Sequence, residues 1–269
     1  MKLWLILGVL CLTAAQAAAQ DGRRMLTEDE ARAWTAVGRV NIADAGHCTG
    51  ALIEPDIVLT AAHCVFHPTS RRQVSANRIH FVAGWRLGEY VAHRTVARVI
   101  VHRDYAFTGE PTSDAIRSDV ALLVLHEEIS RDVARPFERV RTPRVGQRLS
   151  IVSYGRDRPE APSIEDQCSA DVIQDNILVM NCDVTFGVSG SPIFTLEGGE
   201  ARVASVVSAM GQYGGNDAAF GMTLDDGTLQ NLLLEARRSG AEFEAAPAGQ
   251  SIREQLGRRE VAPLFRPAQ

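Results

Sequence analysis

The stretch Gly187-Val188-Ser189-Gly190-Ser191-Pro192 sets a serine between two glycines. Glycine allows a tight turn and a close approach, so this backbone can present its own amides beside the Ser189 hydroxyl. A plain glycine-serine turn reads the same way, and a nucleophile needs a base and an acid that orients the base. All seven histidines, His47, His63, His67, His80, His93, His102 and His126, precede Ser189. That order excludes the α/β-hydrolase arrangement, in which histidine follows the nucleophile. His63 closes Leu59-Thr60-Ala61-Ala62-His63-Cys64, just after an apolar strand pattern and between small residues and a cysteine that a disulfide can pin. Asp119 heads Val120-Ala121-Leu122-Leu123-Val124-Leu125. At the mouth of a buried strand its carboxylate can hold the Nδ1–H of His63 and stabilise the imidazolium. Asp114 is the competing acid.

Composition removes other chemistries. Lys2 is the only lysine among 28 Lys+Arg, so Ser-Lys dyads and Schiff bases lack their residue. A net charge of -5 over 269 residues, with no basic stripe, argues against nucleic acid as a partner. Met1-Lys2, the apolar run Leu3 to Leu12 and the small residues Ala17-Ala18-Ala19 read as a secretory signal over residues 1–19. The run is shorter than the ~20 apolar residues a spanning helix needs, so no membrane association is expected once it is removed. Cys11 leaves with the signal, and Cys48, Cys64, Cys168 and Cys182 remain. Four cysteines allow three connectivities. Their spacings favour Cys48 with Cys64 and Cys168 with Cys182, each loop worth on the order of 3 kcal/mol. The pattern suits a secreted or periplasmic protein. Zinc held by Cys64, His67 and His63 is the rival reading, but four-ligand spacing is lacking; no metal or other cofactor is expected.

The elements that must position these residues are short strands. Gly38–Ile42, Cys48–Ile53, Asp56–Thr60, Ile79–Ala83, Val96–His102 and Val120–Leu125 are apolar or β-branched and separated by turn residues. After Arg131–Gly146 come Arg148–Tyr154, Cys168–Ile173, Ile177–Cys182, Pro192–Leu196, Val203–Met210 and Ala218–Met222. No βαβ alternation is present, so two antiparallel barrels or sandwiches are favoured over a parallel sheet. Leu229, Leu232, Leu233 and Ala236 recur at helical spacing, with Asp225 or Thr228 to cap the start and Gly240 to end it. This helix is expected against the second barrel.

The motifs together resemble those of the chymotrypsin/trypsin-like serine peptidases: Cys48-Thr49-Gly50 with Leu59 to Cys64, Asp119 to Leu123, and Gly187 to Pro192, in that order. The resemblance covers about Val37 to Ser239. It implies an all-β fold of two six-stranded antiparallel β-barrels with a C-terminal helix and an active site between the barrels. It also implies His63 as general base, Asp119 as its orienter, Ser189 as nucleophile, and the amides of Gly187 and Ser189 as the oxyanion hole. The expected organisation is a signal over 1–19, a leader or docked arm over 20–36, a peptidase domain over 37–240 and a mobile tail over 241–269. Within the domain, barrel one covers about 37–130, barrel two about 146–222 and the helix about 227–239.

Departures from the family refine the expectation. Digestive members carry an aspartate immediately before the nucleophile to receive a new amino terminus; Val188 stands there and cannot form that ion pair. The Gly-Ser-Pro ending is similar to bacterial glutamyl-endopeptidase-like members, yet their specificity histidine would fall near Val207-Ser208, where none stands. Asp183, six residues before Ser189, is a candidate to bind a basic substrate side chain, and Ser208 with Ala209 a candidate strand edge for an extended substrate. The activity implied is hydrolysis of peptide bonds in a peptide or protein substrate. The alternative is a non-catalytic binding or scaffold protein on the same fold.

Overall fold

A computed structural model describes residues 22–139 and 142–244. The leading 1–19 segment and residues beyond 244 lie outside it. Thirteen strands run in chain order: β1 (Arg23–Met25), β2 (Val37–Ile42), β3 (Gly46–Glu54), β4 (Ile57–Thr60), β5 (Ile79–Ala83), β6 (Ala92–Val101) and β7 (Ala121–Leu125), then β8 (Arg148–Ser153), β9 (Ser163–Gln174), β10 (Ile177–Met180), β11 (Pro192–Glu197), β12 (Glu200–Tyr213) and β13 (Asn216–Thr223). Helices α1 (Glu28–Ala31), α2 (Ser113–Ile116) and α3 (Asp226–Glu244) complete the fold.

The first six long strands close a barrel in the order β2-β3-β4-β7-β6-β5, every pair antiparallel. The second sheet runs β1-β9-β10-β13-β12-β11-β8, and pairing of β8 with β9 brings it back on itself. The six strands legible in that half thus form the ring, and β1 lies on it as a seventh. Arg23-Arg24-Met25 shows no alternation that marks a strand in sequence; β1 forms because β10 covers only Ala170 to Gln174 of β9, which leaves the edge of Ser163 to Glu165 opposite β8 open for pairing.

Period-two packing explains the apolar runs. On β7, Ala121, Leu123 and Leu125 enter the core of the first barrel, while Leu122 and Val124 face the other way into the layer between the barrels. A strand covered on both faces needs no polar side. On β11, Ile193 fills the second barrel with Leu149, Leu178 and Met180, and Phe194 turns to the inter-barrel layer with Val37, Leu59 and Val206. Phe194 also meets Trp34 and Phe137, at ring separations of 5.0 and 4.7 Å.

Helix α3 starts where Asp225 Oδ1 accepts the Thr228 amide at 2.6 Å. It continues through Gly240 to Glu244, because Ala241-Glu242-Phe243-Glu244 has no breaker and one glycine costs a helix only about 1 kcal/mol. It lies on β6 and β7, against the first barrel and not mainly the second as the sequence suggested. Leu229, Leu232, Leu233 and Ala236 cover the outward side chains Ile100, Leu122 and Val124. Arg98 donates to the Ala236 carbonyl at 2.7 Å and Arg237 pairs with Glu54 at 2.8 Å. Among the described residues no helix is long and apolar enough to cross a membrane.

Residues 23–26 are laid along the second barrel, and by Ala36, whose carbonyl accepts the Leu52 amide of β3, the segment has reached the first. Thr27 and Glu30 form a reciprocal cap at the start of α1, and the Arg24 and Thr27 hydrogen bonds hold the Glu30 carboxyl down to about 2. Both disulfides lie within a barrel, Cys48–Cys64 in the first and Cys168–Cys182 in the second.

Candidate active site

His63 stands on a 3-10 turn, Ala62–Val65, that follows β4 directly. The Cys48–Cys64 bridge ties this turn to β3. Asp119, only 2% exposed, precedes β7, which pairs with β4, so the two strands deliver acid and base to one end of the first barrel. One Asp119 oxygen accepts the His63 backbone amide at 2.8 Å and the other lies 2.7 Å from His63 Nδ1. A carboxylate facing Nδ1 makes it the protonated nitrogen and leaves Nε2 as the base. Burial disfavours the imidazolium, but the charge and hydrogen bond of Asp119 outweigh it and raise the His63 pKa above its usual value. Asp114 is exposed and bonded to Arg117 at 2.5 Å.

Ser208 supports Asp119 from the other side. The Ser208 hydroxyl donates to Asp119 Oδ2, and Ser208 is buried. Its side chain therefore belongs to the Asp119 network, where the sequence suggested a substrate edge for this position. The Tyr105 phenol lines the same cleft, and its pKa is pushed up by burial and then by the Asp119 charge, so it stays neutral.

Ser189 lies in the loop between β10 and β11, in a cavity of about 420 Å³ that it shares with His63, Asp119 and Ser208. The part of the loop around Ser189 is fixed by three backbone bonds. Val188 N–H donates to Thr185 O at 3.2 Å, Gly190 N–H to Val207 O at 2.8 Å and Ser191 N–H to Val188 O at 3.0 Å. The amides of Gly187 and Ser189 have no partner among the described residues. Two unpaired donors on either side of Val188, beside the Ser189 side chain, are the arrangement that a developing oxyanion needs.

Thr49 joins this loop to the first barrel. Its amide donates to Ser189 O at 2.9 Å, its hydroxyl donates to Gly187 O at 3.1 Å, and the same oxygen accepts the Tyr154 amide at 3.0 Å. Thr60 Oγ1 in turn donates to Thr49 O at 2.8 Å. Both flanking glycines are required. Gly187 has φ +88°, and a Cβ there would lie 2.6 Å from Tyr154 O; Gly190 has φ +75°, and its Cβ would lie 2.2 Å from Thr60 Oγ1. Val188 is fully buried among apolar residues of the second barrel.

Asp183 is turned away from the cleft. It lines an adjoining cavity with Cys182, Gly211, Gln212 and Asp217, and its Oδ2 is 3.8 Å from Arg23 Nε. Arg23, 6% exposed, also grips Asp157 at 3.3 Å. The cleft beside Ser189 is apolar instead, with Val184, Phe186, Val207, Ala209 and Met210 on one side and Phe107 and Pro111 on the other. Cys48, Cys64 and His63 converge within 4.8 Å, but both sulfurs are in the disulfide and have no thiolate to offer a metal. His67 Nδ1 accepts the amides of Thr69 and Ser70.

Sequence reasoning missed the hydroxyl roles of Thr49 and Ser208. Both depend on contacts made across the two barrels, at separations of 138 and 89 residues, for which no local pattern exists.

Comparison with known proteins follows the same line. Residues 26–223 match the family model described as Trypsin. Serine protease SP24D of Anopheles gambiae is 37% identical over 111 residues, an alignment spanning 40% of this chain and 37% of that relative's length. Among solved structures, a Glu endopeptidase in complex with MPD has a TM-score of 0.66 at 19% identity, covering 82% of this chain and 98% of its own. The thermostable serine protease AL20 from an extremophilic microorganism has a TM-score of 0.60 at 18% identity, covering 75% of this chain and 97% of its own. At such identities these structures are likenesses of fold.

Proposed function

The chain belongs to the trypsin family, and from that premise we propose that it is an exported serine endopeptidase in which His63, Asp119 and Ser189 form the catalytic triad. The observation that carries the reading is the His63 Nδ1 to Asp119 Oδ2 bond of 2.7 Å in the cavity that also holds Ser189. Ser189 Oγ attacks the substrate carbonyl carbon as His63 Nε2 takes its proton. The carbonyl oxygen becomes an oxyanion that accepts from the Gly187 and Ser189 amides. Collapse breaks the C–N bond, and the amine leaves with the proton from His63. Water then enters by the same route in reverse: His63 deprotonates it, and the acid product departs as Ser189 regains its proton. Asp119 stays ionised throughout and stabilises the imidazolium.

The lining of the cleft sets the substrate class. No lysine or arginine lines it, and Asp183 faces Arg23 outside it. Polypeptides with an apolar residue before the scissile bond therefore fit better than acidic ones, which meet no cation there, and than basic ones, for which the lining offers, besides the paired Asp119, only the exposed Glu110, where an ion pair is worth little. Two disulfides in a chain of this family suit an oxidising compartment. Residues 1–19 act as the export signal in this reading, and 20–36 as an arm docked on the domain of residues 37–240.

The test is a peptide library digested by the protein from Gln20 onward, with Ser189→Ala beside it and fluorophosphonate labelling of both. Cleavage after apolar residues and labelling, each lost in Ser189→Ala, are the expected results. Cleavage after arginine or glutamate would refute the specificity. Absence of both cleavage and labelling would refute the enzyme.

A further inference from the structure

The outer face of the first barrel carries a pair of imidazoles unrelated to the catalytic cleft. On β5, Ile79, Phe81 and Ala83 point into the core and His80 points out; on β6, Ala92 is buried and His93 is exposed. Register sets His80 opposite Thr95 and Val82 opposite His93, so the two histidines are diagonal neighbours on adjacent antiparallel strands. Diagonal neighbours lie about 7–8 Å apart at the backbone, within reach of two ring side chains. His80 Nδ1 and His93 Nε2 are 2.9 Å apart, with ring centroids at 5.1 Å.

We propose that His80 and His93 together chelate a borderline divalent transition metal, of the zinc or nickel class, on the outside of the first barrel. Two imidazole nitrogens that share a zinc at about 2.1 Å in cis positions are roughly 3.0–3.4 Å apart. The pair needs only a small ring rotation to reach that geometry. In the metal-free state one ring donates its N–H to the other. On binding, that proton moves to the donor ring's other nitrogen, so both facing lone pairs reach the metal and no net charge is displaced.

The surroundings favour this class of ion. Arg94 is engaged by Glu127 and the Glu128 carbonyl. Tyr90 sets its ring edge-on to His93 at 6.0 Å and limits the swing of that imidazole. On the other flank Asn41, the cross-strand partner of His80, keeps a buried Oδ1 with no hydrogen-bond partner. Neutral nitrogen ligands suit zinc, nickel and copper and not calcium or magnesium, which take oxygen ligands. With two protein ligands and water elsewhere, the site is exchangeable and does not resemble a closed structural zinc site.

The inference does not depend on the peptidase reading, and its test uses a protein in which self-cleavage is removed. Full-length Ser189→Ala is titrated with zinc chloride and, separately, nickel chloride at about pH 7.5, followed by calorimetry. One site is expected, weakened about tenfold or more by either His80→Gln or His93→Gln and lost near pH 5.5, where protons compete for the nitrogens. Nickel added to the protein with both histidines intact should broaden the imidazole proton resonances of His80 and His93 before those of the other histidines, a readout independent of whether the variants fold. Binding that survives both substitutions, or broadening that begins at His63, would place the metal elsewhere and overturn the proposal. Absence of binding of either metal at millimolar concentration would overturn it as well.

Discussion

Replacing Thr49 by valine keeps the shape of the side chain and removes one oxygen. That oxygen serves two peptides of the second barrel, accepting from the Tyr154 amide at 3.0 Å and donating to Gly187 O at 3.1 Å, and Thr49 is fully buried. A buried polar group left without a partner costs about 1–3 kcal/mol. The Tyr154 amide bears the full amount, while Gly187 is partly exposed and its carbonyl can turn to water, so Thr49→Val should lose about 2–4 kcal/mol of stability. The consequence for catalysis follows from the second bond. Once Gly187 O is released, its peptide plane is held only through the Val188 N–H bond to Thr185 O at 3.2 Å, and the oxyanion amides on either side of it lose their aim. One misplaced oxyanion donor costs roughly 10²–10³ in turnover. Substrate side chains bind elsewhere in the cleft, so the loss should fall on kcat with KM nearly unchanged, and Thr49→Ser should recover most of it. Steady-state kinetics on a peptide substrate, at a temperature where denaturant titration shows all three proteins folded, separates the two effects. A Thr49→Val protein with normal kcat and reduced stability would refute the idea that this hydroxyl aims the oxyanion donors.

Asp119→Asn should lower kcat by about 10⁴ by leaving His63 in the wrong tautomer, whereas Asp114→Asn should leave it unchanged; the reverse ranking would transfer the role to Asp114. Because the His63 pKa lies above its usual 6.5 and only the neutral ring can accept a proton, kcat/KM should rise with pH through that raised value. In Asp119→Asn the midpoint should fall, and a midpoint that does not move would disprove the electrostatic cause. The sign is opposite for folding: a raised folded-state pKa favours the protonated protein, so the stability from the His63–Asp119 pair is complete below the unfolded value and is lost as pH rises through the folded one, which denaturant midpoints of Ser189→Ala across that range would show. Joint replacement of Cys168 and Cys182 by serine, which opens a loop of sequence separation 14, should cost about 3 kcal/mol, and no shift in the denaturation midpoint would argue that the bridge is idle. Met210→Glu should bring a carboxylate to the cleft wall and improve cleavage after arginine relative to leucine by about tenfold; an unchanged ratio would move the specificity contacts away from Met210.

The twelve long strands were legible because each is an apolar or β-branched run between turn residues, and pairing among neighbours needs little more than that pattern. The proposed catalytic residues His63 and Ser189 stood out because their neighbours are small, Ala61-Ala62 on one side and Gly187 and Gly190 on the other. What stayed hidden depends on distance along the chain. Asp183 keeps the spacing that points into a pocket, yet Arg23, 160 positions earlier, turns it aside. Thr49 and Ser208 carry hydroxyls whose partners are chosen by how two closed barrels dock. The side on which α3 packs was equally illegible, since its apolar stripe fits either barrel and only the exposed face of β6 and β7 decides between them.

Neither of the two described disulfides crosses between the barrels, and that gives the molecule a temporal order. Each barrel can close and oxidise its own cysteines by itself, as domains generally fold as units. The Ser189 carbonyl, however, finds its donor among the described residues in Thr49 of the other barrel, and His63 and Asp119, the proposed base and its acid, arrive from that barrel as well. A half-folded chain is therefore harmless to its neighbours, since neither half holds a working set of groups. On the proposed assignment, peptidase turnover becomes a census of docked molecules, and the last non-covalent step of maturation is also the step that arms the protein.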